Sequence, residues 1–439
     1  MYWSASLLQR AYSGVASVRA PFQHNLFDRL ELMASAARRV REPRLRARKL
    51  AAFSSFVRRE FAKSQPHGFA QNVFVQAYFN SAHGRHVRAA VEAWTGEKRE
   101  RLGGNVIVLK APRPGEKGVL LIKYTPYFRF FLANYDLARI NADFRLVLAP
   151  SWYLYPLPYW ALFANANDPT LITCFDEEVA GAIRASGLPL IPVPIGSQDW
   201  VDTEVFRPIP GLKKDFDVVM VASFQRLKRH DVLFRALQKL RPRRLKVALI
   251  GATWERTRDQ FDQQIASFGL QDDCTIFQGL SPEQVNEVLN RSKVKILLSK
   301  MEGGNKSVME ALAAGTPCVV YEGLIGRRDL TERSGMYTSD AELPDKLLHM
   351  VENHHKFDAR ACMLSRSGVE RSTKLLNAAL RRAATAQGEP WTGDIVTGLH
   401  RFAGLAYRSD ADARSVEAGW EILRRHVRSE ERHASEASA

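Results

Sequence analysis

Five short apolar runs recur through the second half of the chain: Phe216 to Ala222, Lys246 to Ile250, Cys274 to Gln278, Lys295 to Ser299 and Pro317 to Tyr321. Helical patterns lie between and after them, at about 230–240, 256–268, 282–291, 305–314 and 340–352. Apolar runs without polar alternation are strands buried on both faces, and helices spaced between them are the crossovers of a parallel sheet. This stretch is therefore α/β. A ligand of such a sheet sits beyond the carboxyl ends of its strands, where Ser223, Gly251, Gly279 and Glu302 fall.

The segment around Glu302 carries the most chemistry. Glu302-Gly303-Gly304-Asn305-Lys306-Ser307-Val308-Met309-Glu310 leads into Ala-Leu-Ala-Ala and then Gly315-Thr316-Pro317. Two glycines carry the chain into a helix, and Gly315 with Pro317 beyond it is a helix stop. Eight residues of helix rise on the order of 12 Å, roughly the span from a hexose to a ribose across a diphosphate. Between the two carboxylates lies a helix N-terminus, whose free N–H groups and positive dipole end suit an anion. Lys306 in the first turn opposes that dipole. It reads either as a solvated lysine or as a cation beside a bound phosphate.

Glu302 and Glu310 at this spacing, followed by Ala-Leu-Ala-Ala-Gly-Thr-Pro-Cys-Val-Val, resemble the donor-site signature of retaining GT-B glycosyltransferases. The linker is similar too, with Gly196 shortly before Asp202 and Phe206 and with Pro208 and Pro210 at the boundary. The resemblance implies two Rossmann-like domains facing across a cleft, here with extra N-terminal helices. The implied divisions are a helical basic extension over 1–103, an acceptor domain over 104–207, a donor domain over 208–387, and helices over 388–439 that cross back onto the first domain and end in a polar tail. It also implies a hexosyltransferase that moves a sugar from a nucleotide-sugar donor to a glycan or lipid-linked acceptor, as in cell-surface polysaccharide or glycoconjugate synthesis.

Site roles follow from the same resemblance. Glu302 contacts hydroxyls of the transferred sugar and Glu310 the ribose hydroxyls, both suited to carboxylates because an ionised acid accepts several O–H bonds. Gly303 and Gly304 let backbone approach sugar and phosphate; Asn305, Lys306, Ser299, Gly251 and Gly279 complete the donor-binding set. Lys228 matches the family lysine that holds the diphosphate, where preorganised cations stabilise growing negative charge. The family arginine position is Ser223, and Arg226 stands three residues later as its substitute. Arg229 and His230 have no counterpart. The family uses no cofactor and needs no metal, and Asp272-Asp273 precedes a strand as a turn.

The first half reads more loosely. Strand candidates are Gly118 to Tyr124, Phe144 to Ala149, Thr170 to Cys174 and Leu188 to Val193, with Thr125 to Phe128 turning the chain. Residues 1–103 are helical and basic. Arg38, Arg39, Arg41, Arg44, Arg46, Arg48 and Lys49 stand against one acid, Glu42. That run is either a solvated face or a contact for an anionic membrane surface or acidic acceptor. Residues 152–163 are dense in aromatics, as core or as an acceptor lining.

With 439 residues and 46% apolar content the chain can bury more than one core. A net charge of +16 calls for an anionic partner. Nucleic acid is disfavoured, because no helix-turn-helix, zinc or RNA-recognition signature accompanies the charge. The four cysteines have neither metal nor redox spacing. There is no transmembrane-length apolar run, and Met1 to Leu8 lacks a signal-peptide pattern, so the expectation is cytoplasmic with peripheral membrane association possible. A catalytically silent GT-B module, binding glycan or nucleotide as scaffold or regulator, is the alternative reading.

Overall fold

The computed structural model describes residues 25–38, 40, 42–64, 77–78, 80–81, 85, 105–150, 159–165, 167–325, 330–399 and 406–426. They form two compact units, one over 198–368 and the other from the residues before 198 together with those from Val369 onward.

The unit that opens the chain is built on a five-stranded sheet. Its strands are β1 (Val106–Lys110), β2 (Gly118–Lys123), β3 (Phe144–Ala149), β4 (Thr170–Thr173) and β5 (Leu190–Val193), in sheet order 1-2-3-4-5. β1 pairs antiparallel with β2 across a hairpin, and the other pairings are parallel. The sequential order never reverses, so this sheet has no switch point of its own. The sequence reading did not assign β1. The Thr125–Phe128 turn is instead the start of a helix, Thr125–Asn134, because Pro126 sits in the first turn, where its missing N–H costs nothing.

Two basic-region helices, Leu26–Arg38 and Pro43–Ser64, pack on each other, and the second packs on the helix Glu177–Ala185. Leu50, Phe53, Phe56 and Val57 are buried, and Arg46 bonds Asp176 at 3.0 Å and Glu178 at 3.3 Å. Arg44, Arg48 and Lys49 remain exposed. Arg39, Arg41 and the Arg38 side chain lie outside the described residues, as do 152–158 of the aromatic stretch; Tyr159, Trp160 and Phe163 are buried core. No described helix is long and apolar enough to cross a membrane.

Residues after 368 join this same unit. The helix Val369–Ala386, placed by sequence in the donor domain, belongs here because its face of Leu376, Leu380 and Ala383 is buried in this unit and meets β5. The chain beyond it is fastened by charge: Arg145, almost fully buried, bonds Asp168 at 3.0 Å and Glu389 at 2.7 Å. Farther on, the Tyr407 hydroxyl donates to Val108 O at 2.8 Å.

The 198–368 unit contains β6 (Phe216–Val221), β7 (Val247–Ile250), β8 (Cys274–Phe277), β9 (Ser292–Leu297), β10 (Cys318–Tyr321) and β11 (Gly335–Thr338). All are parallel, in order β11-β10-β9-β6-β7-β8. The order reverses between β6 and β9, which makes their carboxyl ends a topological switch point. β11 was not anticipated: Gly335-Met-Tyr-Thr is too short and mixed to read as a strand. A side chain at Gly335 would lie 2.0 Å from Cys318 O, so glycine lets this edge close on β10.

Period-2 alternation sorts the strands between two cores. Val218, Met220, Val294 and Ile296 face the helices His230–Lys239, Arg258–Ser267 and Leu343–Asn353. Val219, Ala248 and Leu297 face Pro282–Asn290, Lys306–Ala313 and Ala359–Leu364. The expected linker is part of this unit from residue 198 rather than 208. Phe206 is buried, Asn286 and Asn290 side chains accept from Arg207 N and Ile209 N, and Arg360 donates to Phe206 O at 2.9 Å and Thr203 O at 3.2 Å.

Candidate functional site

Beyond β9 the chain leaves the sheet through buried Leu298 and Ser299. Met301 bridges Ile325, and Glu302 N–H donates to Ile325 O at 2.9 Å, so the loop is pinned just before the glycines. Gly304 has φ 129°, a conformation that side chains resist. Asn305 then caps the helix Lys306–Ala313: its Oδ1 accepts from Val308 N at 3.1 Å and from the Ser307 hydroxyl at 2.7 Å. The far end closes in a Schellman motif, with Gly315 N donating to Leu312 O at 3.0 Å and Thr316 N to Ala311 O at 2.8 Å. Gly315 adopts φ 83°, the left-handed geometry this stop requires.

β6 meets this helix at the switch point, where the Ser307 hydroxyl reaches Val221 O at 3.4 Å. After β6 come half-buried Ser223, buried Phe224 and a single 3-10 turn, Arg226–Lys228. That turn delivers Lys228 to the other strand's loop: Lys228 Nζ donates to Glu302 Oε1 at 2.6 Å, with both side chains largely buried. Arg229 follows at φ 59°, an uncommon geometry for a residue with a side chain. Its guanidinium donates to Leu298 O at 3.1 Å, pairs with Asp340 and lies 4.7 Å from the Tyr321 ring centroid. Arg229 thus braces the lysine turn against the ends of β9 and β10. His230 is buried among Phe224, Phe234 and Phe261, and burial drives its pKa down to about 3, so it is a neutral core residue.

Glu310 lies one face along the helix, half-buried, with Lys306 Nζ 3.6 Å from its Oε1. Burial pushes the Glu310 carboxyl above the usual range, and Lys306 and Lys295 oppose the push. Lys306 therefore engages its own helix's carboxylate.

The remaining sequence candidates separate. Arg226 is exposed and does not share the Lys228–Glu302 contact; it lines an open groove of about 510 Å³ with Arg229, Arg235, Arg256 and Lys300. Gly251 serves packing: a Cβ would come within 2.3 Å of Ala222 O and 2.7 Å of the Phe224 ring. Gly279 has φ 69° with open space around it, which leaves its backbone approachable. Ser299 is fully buried, and among the described residues its hydroxyl has no partner. Among the described residues no cluster of His, Cys, Asp or Glu is placed to hold a metal ion.

Two residues with a bearing on the site escaped the sequence reading. Arg229 carried no motif, and Lys295 was read only as the first residue of an apolar run. A lysine inside an otherwise apolar central strand was the available signal.

The loops from β6 and β9, with Lys228 on Glu302 and Glu310 on the following helix, fall within residues 202–333, which match the family model for glycosyl transferases group 1. The match takes in 132 of the 439 residues, under a third of the chain. The group 1 segment covers the unit's first five strands and stops short of β11. The chain is also 31% identical over 127 residues to the MMP alpha-(1->4)-mannosyltransferase of Mycolicibacterium hassiacum. That stretch is 29% of this chain and 30% of the relative, so the chain spans under a third of the curated relative it matches. Among solved structures, sucrose-phosphate synthase from Thermosynechococcus elongatus is 14% identical with TM-score 0.49, covering 61% of this chain and 74% of that one. Anabaena HepE in complex with UDP is 17% identical with TM-score 0.48, covering 60% and 78%. Both likenesses are too partial to add to the group 1 assignment.

Proposed function

We propose that this protein is a retaining glycosyltransferase of the GT-B type that moves a hexose from a nucleotide-sugar donor to a hydroxyl of a glycan or lipid-linked acceptor. The observation that carries the reading is the junction of Lys228 and Glu302 at 2.6 Å across the switch point, with Glu310 on the helix that follows. In this reading Glu302 accepts from hydroxyls of the transferred sugar. Lys228 has three N–H donors, of which the carboxylate takes one, leaving donors for the diphosphate. Negative charge grows there as the glycosidic bond breaks, and a cation already held in place stabilises it without reorganising.

Glu310 receives the ribose hydroxyls, and the open backbone at Gly279 lies on the base side. A leaving-phosphate oxygen assists the incoming hydroxyl on the same face, which retains configuration. No metal or cofactor is assigned a role. The exposed cations Arg44, Arg48 and Lys49 support an acidic or membrane-borne acceptor, and synthesis of cell-surface polysaccharide fits such an acceptor.

A thermal-shift panel of UDP, GDP and ADP, alone and as sugar conjugates, tests the donor. A ligand at 100 times its dissociation constant stabilises by about 2.7 kcal/mol. One nucleotide and its sugar conjugate should raise the melting temperature. If none does at millimolar concentration, the donor-site reading is wrong.

A further inference from the structure

β9 is a central strand, paired with β6 on one side and β10 on the other, and it carries a lysine where its neighbours carry core. Lys295 is fully buried, and among the described residues its Nζ has no hydrogen-bond partner. Alternation places it on the Leu297 face, the one covered by the helix Lys306–Ala313. A buried amine without a partner destabilises a fold, and an apolar side chain of similar volume would be more favourable there. Such costs concentrate at working sites.

The charged and titratable groups acting on Lys295 come from four elements. They are Cys318 on β10, Glu302 on the loop, Lys228 on the turn after β6, and Glu310 on the helix. Burial drives the Cys318 thiol up to about 12, so it carries no charge at neutral pH. Glu302 is already matched by Lys228 at 2.6 Å. Among the described residues Glu310 pairs with Lys306 at 3.6 Å, and its burial favours the neutral acid. The carboxylate still in need of positive charge is therefore Glu310.

We propose that Lys295 is a positioning residue for the donor nucleotide, whose ammonium, set in the sheet beneath the helix, keeps Glu310 an ionised carboxylate able to accept both ribose hydroxyls. A protonated Glu310 would turn one oxygen into a donor and lose that grip. The proposal rests on the donor-site reading above, with Glu310 at the ribose.

The test uses the full chain and its Lys295→Met variant, with the nucleoside diphosphate that stabilises the wild type as probe, binding measured by calorimetry. At pH 7 the variant should melt higher than the wild type, because the unpartnered amine is gone, yet bind the nucleotide severalfold more weakly, because without the lysine more of Glu310 is the neutral acid. Burial lowers the Lys295 pKa from 10.5 to about 8. A lowered lysine pKa destabilises the fold fully below pH 8, and the penalty fades as pH rises toward 10.5. The melting advantage of the variant should therefore shrink over that window. Raising the pH ionises Glu310 without the lysine's help, so the variant's affinity should climb toward that of the wild type. In a Glu310→Gln background, Lys295→Met should cost no further affinity. Unchanged nucleotide affinity in the single variant, a lower melting temperature at pH 7, or additive losses in the double variant would each overturn the proposal. A wild type that binds none of the nucleotides would sink the donor-site reading itself, and this inference with it.

Discussion

Replacing Lys228 with alanine perturbs two quantities that the structure lets us separate. Lys228 and Glu302 are 17% and 11% exposed and 2.6 Å apart, between the surface regime, where an ion pair contributes little, and the buried one. Losing one partner of such a charge-assisted bond should cost about 1–2 kcal/mol. For a unit of this size that is a drop of about 3–6 °C in melting temperature. If Lys228 also stabilises the leaving diphosphate, turnover should fall on the order of 10²-fold, about 2.7 kcal/mol of transition-state stabilisation. The control is Glu302→Gln, which breaks the same pair but leaves the cation. Both variants should melt lower, but only Lys228→Ala should weaken binding of a nucleoside diphosphate that carries no sugar. Donor turnover and nucleotide titration on the three proteins decide it. If Lys228→Ala keeps turnover within threefold of wild type while melting lower, the lysine is a structural partner of Glu302 and the leaving-group assignment fails.

Glu310→Gln should weaken nucleotide binding and turnover together, because the ribose contact exists before and during reaction; unchanged affinity would remove Glu310 from the site. Gly315→Ala forces a side chain into φ 83° at the Schellman stop and should cost about 1 kcal/mol, read as a melting shift of ~2–4 °C; an unshifted melting curve would mean the stop relaxes freely. Anionic vesicles should sediment the protein at low salt and release it as salt rises, since screening shortens to about 8 Å at physiological ionic strength. Substituting Arg44, Arg48 and Lys49 with glutamate should abolish the effect, and indifference to vesicles even at low salt would make this helix an ordinary solvated face.

The strands β6 to β10 were legible because each is a short apolar run, a pattern set by local composition, even though the edge strand β8 is only partly buried. The helix Lys306–Ala313 was legible at both ends, since Asn305 and Gly315 act through their own backbone neighbourhood. Local chemistry also fixed the pairing of two carboxylates with a helix N-terminus. What only the tertiary structure decided are contacts between segments distant in sequence. The turn after β6 sends Lys228 to Glu302 and leaves Arg226 in another groove; no spacing along the chain distinguishes those directions. Gly251 looked like a place for a ligand and is glycine because Ala222 O occupies the space beside it. The helix Val369–Ala386 is amphipathic by sequence, but its apolar face is satisfied by whichever unit it meets, and it meets the first. Lys295 makes the same point most sharply: five letters of an apolar run name a strand, and only the helix laid over it makes the lysine among them a buried charge.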